Sequence, residues 1–371
     1  VIKLQTQIER TPRVMLVEGM FDITAENKSV TEIPLNIPDL NDRDWNIGLI
    51  VGPSGAGKTT VAKTLFNQEL LNGENLVWDA TKSLIDDFPA TMSIQDITTL
   101  LSSVGFSSPP AWLRPFHTLS NGEQFRVTMA RILAEQPDLS VVDEFTSVVD
   151  RTVAQVGSYA IAKTVRKRGQ KLVAVTCHYD VQEWLQPDWI YEPATGKFSW
   201  ELLRQRPTVE LEFVRTTTKA WTQFSRYHYL DHTIANSAQT IVGYINKQPA
   251  VLIATLPFPH PVVKNLWKVS RIVVLPDFQG LGLGAIALDL VGGAYRSMGK
   301  KLNIVTSHPA FVRSLNRSKT WAMTRKPSRV ANLGKNSTIN TATSKSRLTA
   351  TFSYAGQPNN KLASLYVKDL Q

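Results

Sequence analysis

The chain has a single cysteine, Cys177, in 371 residues, so no internal disulfide can brace it. It also lacks any run of about 20 apolar residues, the length a membrane-crossing helix needs. The longest candidate, Ala250 to Leu256, runs straight into Pro-Phe-Pro-His-Pro. The first residues, Val1-Ile2-Lys3, show no basic head followed by an apolar core, so no secretory leader is read there. These absences predict a protein without a membrane partner, with the cytoplasm as its compartment. The remaining deficit is acidic charge in the second half. Residues 1–200 carry 18 Lys and Arg against 24 Asp and Glu, whereas residues 201–371 carry 23 against 7. Between Leu290 and Lys368 there are 14 Lys or Arg and no acidic residue, with Phe311, Trp321, Phe352, Tyr354 and Tyr366 interleaved. Such a field favours a polyanion as partner.

The length suits two domains. The boundary is read at 1–203 and 204–371, where Arg204-Gln205-Arg206-Pro207-Thr208 separates two apolar-patterned blocks and the charge changes sign. Apolar runs in residues 1–45, such as Val14-Met15-Leu16-Val17, suit strands of a small antiparallel sheet. Ile47 to Val51, Leu139 to Val142 and Lys171 to Thr176 read as buried strands. Helices are expected from Thr59 to Leu71, from near Ser120 with Phe125, Met129, Ile132 and Leu133 on one face, and from Arg151 to Arg168. This alternation predicts an α/β fold with a largely parallel sheet. In the second block, strands are expected at 241–245, 250–256 and 270–275, then a helix at 284–298 with Ile286, Leu290, Ala294 and Met298 as its buried stripe. Residues 325–350, rich in Ser, Thr, Asn and Lys, read as a loop.

Two phosphate cradles stand out. The first is Gly52-Pro53-Ser54-Gly55-Ala56-Gly57-Lys58-Thr59-Thr60, with a strand before it and a helix after it. Its glycines let successive amides face phosphates, Lys58 adds a point charge, and the Thr59 hydroxyl can ligate Mg2+, which points to ATP. Asp143, closing an apolar run, is the expected Mg2+ carboxylate, and Glu144 is placed to orient or deprotonate the attacking water. Leu119-Ser120-Asn121-Gly122-Glu123 resembles the signature loop of ABC-type ATPases. That resemblance implies a head-to-tail homodimer in which ATP lies between Lys58 of one copy and Ser120, Asn121, Gly122 and Glu123 of the other. It further makes Asp150 a D-loop residue and His178 the switch histidine that touches the terminal phosphate. Two departures from that pattern are visible. The usual glutamine between glycine loop and signature is absent, the best-placed residues being Asp86 and Asp87, with Gln95 too deep in a helix; the interval itself is short. Phe21 is a candidate for stacking on adenine.

The second cradle is Gln279-Gly280-Leu281-Gly282-Leu283-Gly284, following Arg271-Ile272-Val273-Val274-Leu275-Pro276-Asp277-Phe278. It resembles the acyl-CoA segment of GNAT acetyltransferases, where a glycine turn caps a helix whose exposed amides receive a pyrophosphate. The resemblance implies acetyl-CoA or a related CoA donor as cofactor, with Val273, Val274 and Leu275 along its pantetheine arm. Nearly the whole chain resembles ABC-type ATPases fused to a GNAT-like domain, found among prokaryotes and their viruses. The segment Trp221-x-x-Phe224-x-x-Tyr227-His228-Tyr229-Leu230 resembles, more distantly, the Mom-type proteins that alter adenine in phage DNA. His228, Tyr229 and His308 are the candidate acid or base groups by residue type. Arg313, Arg317, Lys319, Arg325, Lys326 and Arg329 are candidates for binding phosphate. Three functions stay open at this point: an ATP-driven base-modifying transferase, an ATP-regulated acetyltransferase of a protein or small amine, and a non-enzymatic nucleic-acid clamp.

Overall fold

A computed structural model describes residues 1–7, 9–24, 28–66, 76–201, 210–228, 232–328 and 348–367. They form two compact units. The first comprises Val1–Val77, Arg131–Val149 and Ile161–Arg206, the second Trp78–Ala130, Asp150–Ala160 and Pro207–Gln371. The boundary read at 203 and 204 falls outside the described residues.

The elements up to residue 200 are β1 (Ile2–Gln7), α1 (Pro12–Phe21), β2 (Lys28–Ile33), β3 (Ile47–Val51), α2 (Lys58–Phe66), α3 (Ile94–Ser103), α4 (Pro109–Trp112), α5 (Asn121–Glu135), β4 (Leu139–Val142), α6 (Arg151–Arg168), β5 (Lys171–Thr176), α7 (Val181–Leu185), β6 (Trp189–Glu192) and β7 (Lys197–Trp200). The first unit is built on a five-stranded sheet ordered β4-β5-β3-β6-β7. Its first four strands run parallel, and β7 returns antiparallel on β6. Every residue of β3 is buried, as a central parallel strand covered on both faces should be. Gly48 within it is obligatory: a Cβ there would lie 2.1 Å from the indole of Trp189, which is fully buried across the strand. Around this indole pack Ile50, Val61, Val141, Val173 and Tyr191.

One expectation fails in this unit. β1 and β2 do pair antiparallel, but Val14 to Val17 lie in helix α1 and not in a strand. Thr11 caps the helix by accepting a bond from the Val14 amide at 3.4 Å, and Pro12 opens its first turn, where a missing N–H costs nothing. The helix expected over 59–71 is α2 as far as Phe66, and its remainder lies outside the described residues.

The second unit adds β8 (Glu212–Thr216), α8 (Trp221–Phe224), β9 (Gln239–Ile245), β10 (Gln248–Pro257), β11 (Leu266–Val274), α9 (Leu283–Ser297), β12 (Lys301–Thr306), α10 (Pro309–Arg317), β13 (Trp321–Ser328), β14 (Thr349–Tyr354) and α11 (Asn360–Val367). Its seven-stranded sheet is ordered β13-β14-β12-β11-β10-β9-β8, and only β11 and β12 pair in parallel. Ser270 is an extra residue in β11, since Ala254 pairs with Arg271 and Thr255 with Val269. Such a bulge bends its strand. Accordingly β11 and β12 pair only over Leu266–Val269 and Lys301–Ile304, although both continue, to Val274 and Thr306. The two strands part beyond the bulge.

Helix α9 buries Ala287, Leu288, Val291, Ala294 and Tyr295 in the core of this unit. This corrects the stripe expected there: Ala294 is in it, but Ile286 is 49% exposed and Leu290 and Met298 only flank the core. The loop expected over 325–350 is partly strand, belonging to β13 and β14 at its ends, and 329–347 lies outside the described residues. Among the described residues no helix is long and apolar enough to cross a membrane.

Candidate functional site

In the first unit, the loop between β3 and α2 turns on Gly55 and Gly57, with φ of 79° and 80°. Both values lie in the left-handed region where a side chain is strained. Gly57 is further excluded from bearing a Cβ by Ile33, whose Cδ1 would be 2.3 Å away. The Lys58 ammonium donates to the Pro53 carbonyl at 2.9 Å, folding over the loop it serves. The Thr59 hydroxyl donates to Asp143 Oδ2 at 2.8 Å, which joins the start of α2 to the end of β4. The next residue is held with equal care. Glu144 sits at φ 54°, its amide donates to Asp143 Oδ1 at 3.0 Å, and its carboxylate accepts from the Ser147 hydroxyl at 2.6 Å. At the end of β5, the His178 amide donates to the Thr176 hydroxyl at 3.2 Å, leaving the half-buried imidazole beyond the strand. The structure thus gathers Lys58, Thr59, Asp143 and Glu144 at the carboxyl ends of the parallel strands β3 and β4, which flank β5, where open α/β sheets bind ligands.

In the second unit, the Leu119 to Glu123 segment forms a capping box. The Glu123 carboxylate accepts from the Ser120 amide and hydroxyl, both at 3.0 Å, and α5 starts there. Asp150 opens α6 in the same manner, accepting from the Thr152 amide at 2.8 Å. Asp86 is exposed on a single 3-10 turn, Asp87 accepts from the Asp79 amide at 3.3 Å, and Gln95 is exposed in the first turn of α3. Phe21 ends α1 and is 66% exposed.

The same unit bears a partly open cavity of about 280 Å3 where β11 and β12 part. Its walls include Arg271 to Val274, Gln279 to Gly284 except Leu281, Thr306, His228 and His308, so both candidate histidines reach one space. Tyr229 lies outside the described residues. Gly282 has φ 84° and begins α9, and a Cβ on it would meet nothing within 4 Å. By contrast Gly280 is closely packed, a Cβ there lying 2.6 Å from that of Ala160, and a Cβ on Gly284 would lie 2.7 Å from the Phe311 ring. Gln279 is a brace: its Oε1 accepts from the Ser107 amide at 2.7 Å and its Nε2 donates to the Val274 carbonyl at 3.0 Å. Of the three residues expected along a pantetheine arm, Val273 and Val274 line the cavity, while the Leu275 amide donates to Ala250 at 2.9 Å.

His308 is buried, its Nε2 lies 3.2 Å from the Ser107 carbonyl, and its ring meets Phe311 edge-on. Burial holds its pKa below the usual imidazole value, against the opposing pull of that carbonyl. His228 is also buried, edge-on to Trp221 with ring centroids 5.6 Å apart. Arg313, Arg317, Lys319, Arg325 and Lys326 are all exposed, Arg313 donating to the Thr99 hydroxyl at 2.6 Å and Arg325 to that of Ser328 at 2.8 Å. Arg329 lies outside the described residues.

Sequence reasoning missed two residues here. Arg126 of α5 is wholly buried and forks onto consecutive carbonyls, Nη1 to Pro276 at 2.6 Å and Nη2 to Asp277 at 2.8 Å. Burial pushes its pKa down to about 10, partly offset by the Asp277 and Glu123 carboxylates, so the guanidinium stays charged. Ser107 bridges Gln279 and His308 through its backbone alone. Neither carries a signal in sequence, because their partners lie 150 to 201 residues away.

Known proteins resemble part of this chain. It is 30% identical over 152 residues to the zinc import ATP-binding protein ZnuC of Vibrio cholerae, covering 36% of this chain and 57% of that protein. To the zinc import ATP-binding protein ZnuC 1 of Hahella chejuensis it is 34% identical over 163 residues, covering 39% and 62%. The chain therefore carries an ABC-type ATP-binding domain. It spans about three-fifths of the length of these relatives. Among solved structures, cbiO1 from Clostridium perfringens, part of the ABC transporter complex cbiONQ, matches at a TM-score of 0.35 and 16% identity over 47% of this chain and 79% of that one. The dimeric ABC transporter cassette MJ0796 matches at 0.34 and 15%, over 49% and 91%. No family model matches the chain.

Proposed function

We propose that this protein is an ABC-type ATPase, read over 1–203, coupled to a GNAT-like transferase, read over 204–371, that works in the cytoplasm and modifies a base in nucleic acid, DNA before RNA. For the ATPase half the support is the Thr59 to Asp143 hydrogen bond. A hydroxyl and a carboxylate at bonding distance are hard oxygen donors of the kind Mg2+ accepts while keeping several waters and its nucleotide phosphates. Mg2+ bound there would neutralise charge on the transferring phosphoryl group. Lys58 and the loop amides bind phosphate, and Glu144 orients the water and takes its proton. Two copies would pair head to tail, each lending Ser120 and Gly122 to the nucleotide on the other's Lys58, with Asp150 and His178 beside it.

For the transferase half, the observation that carries the reading is the parting of β11 from β12 at the Ser270 bulge, next to a glycine turn that opens a 15-residue helix. The strand order, with one parallel pair inside an antiparallel sheet, agrees with a GNAT-like fold. Gly282 leaves room for a pyrophosphate at the amides of α9, and the gap between the strands accommodates a pantetheine arm. A CoA donor bound there would supply a thioester carbonyl to an acceptor nitrogen, whose proton would pass to a base while the thiolate left and took up a proton. His308, kept neutral by burial, and His228 would be the bases within the cavity.

Calorimetry with acetyl-CoA tests the donor site. The parent should bind, and Gly282→Leu should lose at least tenfold in affinity, because a side chain at positive φ blocks backbone approach. If the parent binds no CoA compound, the transferase reading falls.

A further inference from the structure

The turn at 279–284 and helix α5 meet at two points, one of them a pair of hydrogen bonds and the other a close approach. Arg126 clasps the carbonyls of Pro276 and Asp277, the residues that lead into Gln279. About one turn nearer the start of α5, Gly122 faces the other end of the same residue: a Cβ on Gly122 would lie 3.8 Å from Asp277 Oδ1. Asp277 thus touches α5 with its backbone at Arg126 and its exposed carboxylate beside Gly122. A guanidinium fork on two successive carbonyls is rigid, and α5 is a continuous helix of 15 residues, so displacement at one end of Asp277 is carried to the other. The second brace, the Ser107 amide on Gln279, holds the turn further along.

We infer that Asp277 and Arg126 are positioning residues that set donor affinity according to whether nucleotide phosphate occupies Ser120 to Gly122. This rests on the ATPase and transferase reading above. Phosphate arriving at the Gly122 amide meets the Asp277 carboxylate as a like charge and drives it off. The fork on Arg126 then shifts Pro276 and Asp277, and the glycine turn loosens. ATP and the CoA donor accordingly oppose each other's binding, and hydrolysis restores the donor site. Linkage requires that the opposition be reciprocal.

The test uses the Glu144→Gln variant of the whole chain, residues 1–371, in which ATP should be held with its hydrolysis slowed. Hydrogen exchange at amides 277–284 is measured with and without Mg-ATP, and coenzyme A affinity is measured in parallel. Exchange at 277–284 should speed up severalfold with ATP, and coenzyme A affinity should fall about fivefold or more. Asp277→Asn, at an exposed position that leaves folding intact, should remove both responses, and Arg126→Lys, which keeps the charge but not the fork, should weaken both. The inference is overturned if amides 52–60 become protected by ATP while exchange at 277–284 is unchanged, or if Asp277→Asn keeps the full response. Absence of coenzyme A binding in every variant would instead remove the transferase reading, and the exchange measurement would still decide the linkage.

Discussion

At the scale of single residues, the nucleotide site is a matter of short-range chemistry. Thr59 reaches Asp143, and Glu144 is fixed by a left-handed backbone and by Ser147, so its carboxylate is held next to that pair. Glu144→Gln keeps the shape and loses the base. ATP hydrolysis should slow by about 100-fold or more, and an ATP-bound dimer should accumulate, whereas Lys58→Ala should lose nucleotide and stay monomeric. Light scattering with saturating ATP checks this, and a Glu144→Gln protein that remains monomeric would defeat the sandwich arrangement. These residues are legible in the sequence because glycine φ requirements and phosphate chemistry act over a few positions. Arg126 is not. Nothing beside it in the chain marks it as more than a surface arginine, and its burial follows from two carbonyls 150 and 151 residues away.

At the scale of elements, the strands and helices of the parallel sheet match their apolar runs closely, since a strand buried on both faces must be apolar throughout. The misreadings arise where a pattern is short or two-sided. Four apolar residues at 14–17 fit a strand or a helix equally, and Thr11 with Pro12 decides for the helix. In α9 the core takes the face through Ala287, Leu288, Val291 and Tyr295, and a repeat of four beginning at Ile286 starts off that face and meets it only at Ala294. The basic side chains on and between α10 and β13 point outward: Arg313, Arg317, Lys319, Arg325 and Lys326 are all exposed. Replacing them by Gln or Ser should weaken duplex DNA binding and flatten its dependence on log salt by about 0.9 for each phosphate no longer neutralised. Binding titrations across a salt series measure this. An affinity indifferent to salt and to these substitutions would point to a protein or small-amine acceptor.

For the whole molecule, the sequence boundary near 204 separates an acidic block from a basic one, yet residues 78–130 and 150–160 pack with the second block. The loop at 120–123 and the turn at 279–284 consequently share a unit, an arrangement no composition plot reveals. Under the reading proposed above, that shared unit is what would link nucleotide state to group transfer. The most direct measurement is mass spectrometry of nucleosides from cells with and without the protein, alongside cells carrying Gly282→Leu or Glu144→Gln. A modified nucleoside should appear only with the parent protein and vanish in the Gly282→Leu cells. Nucleoside profiles identical in all four would contradict base modification as the function.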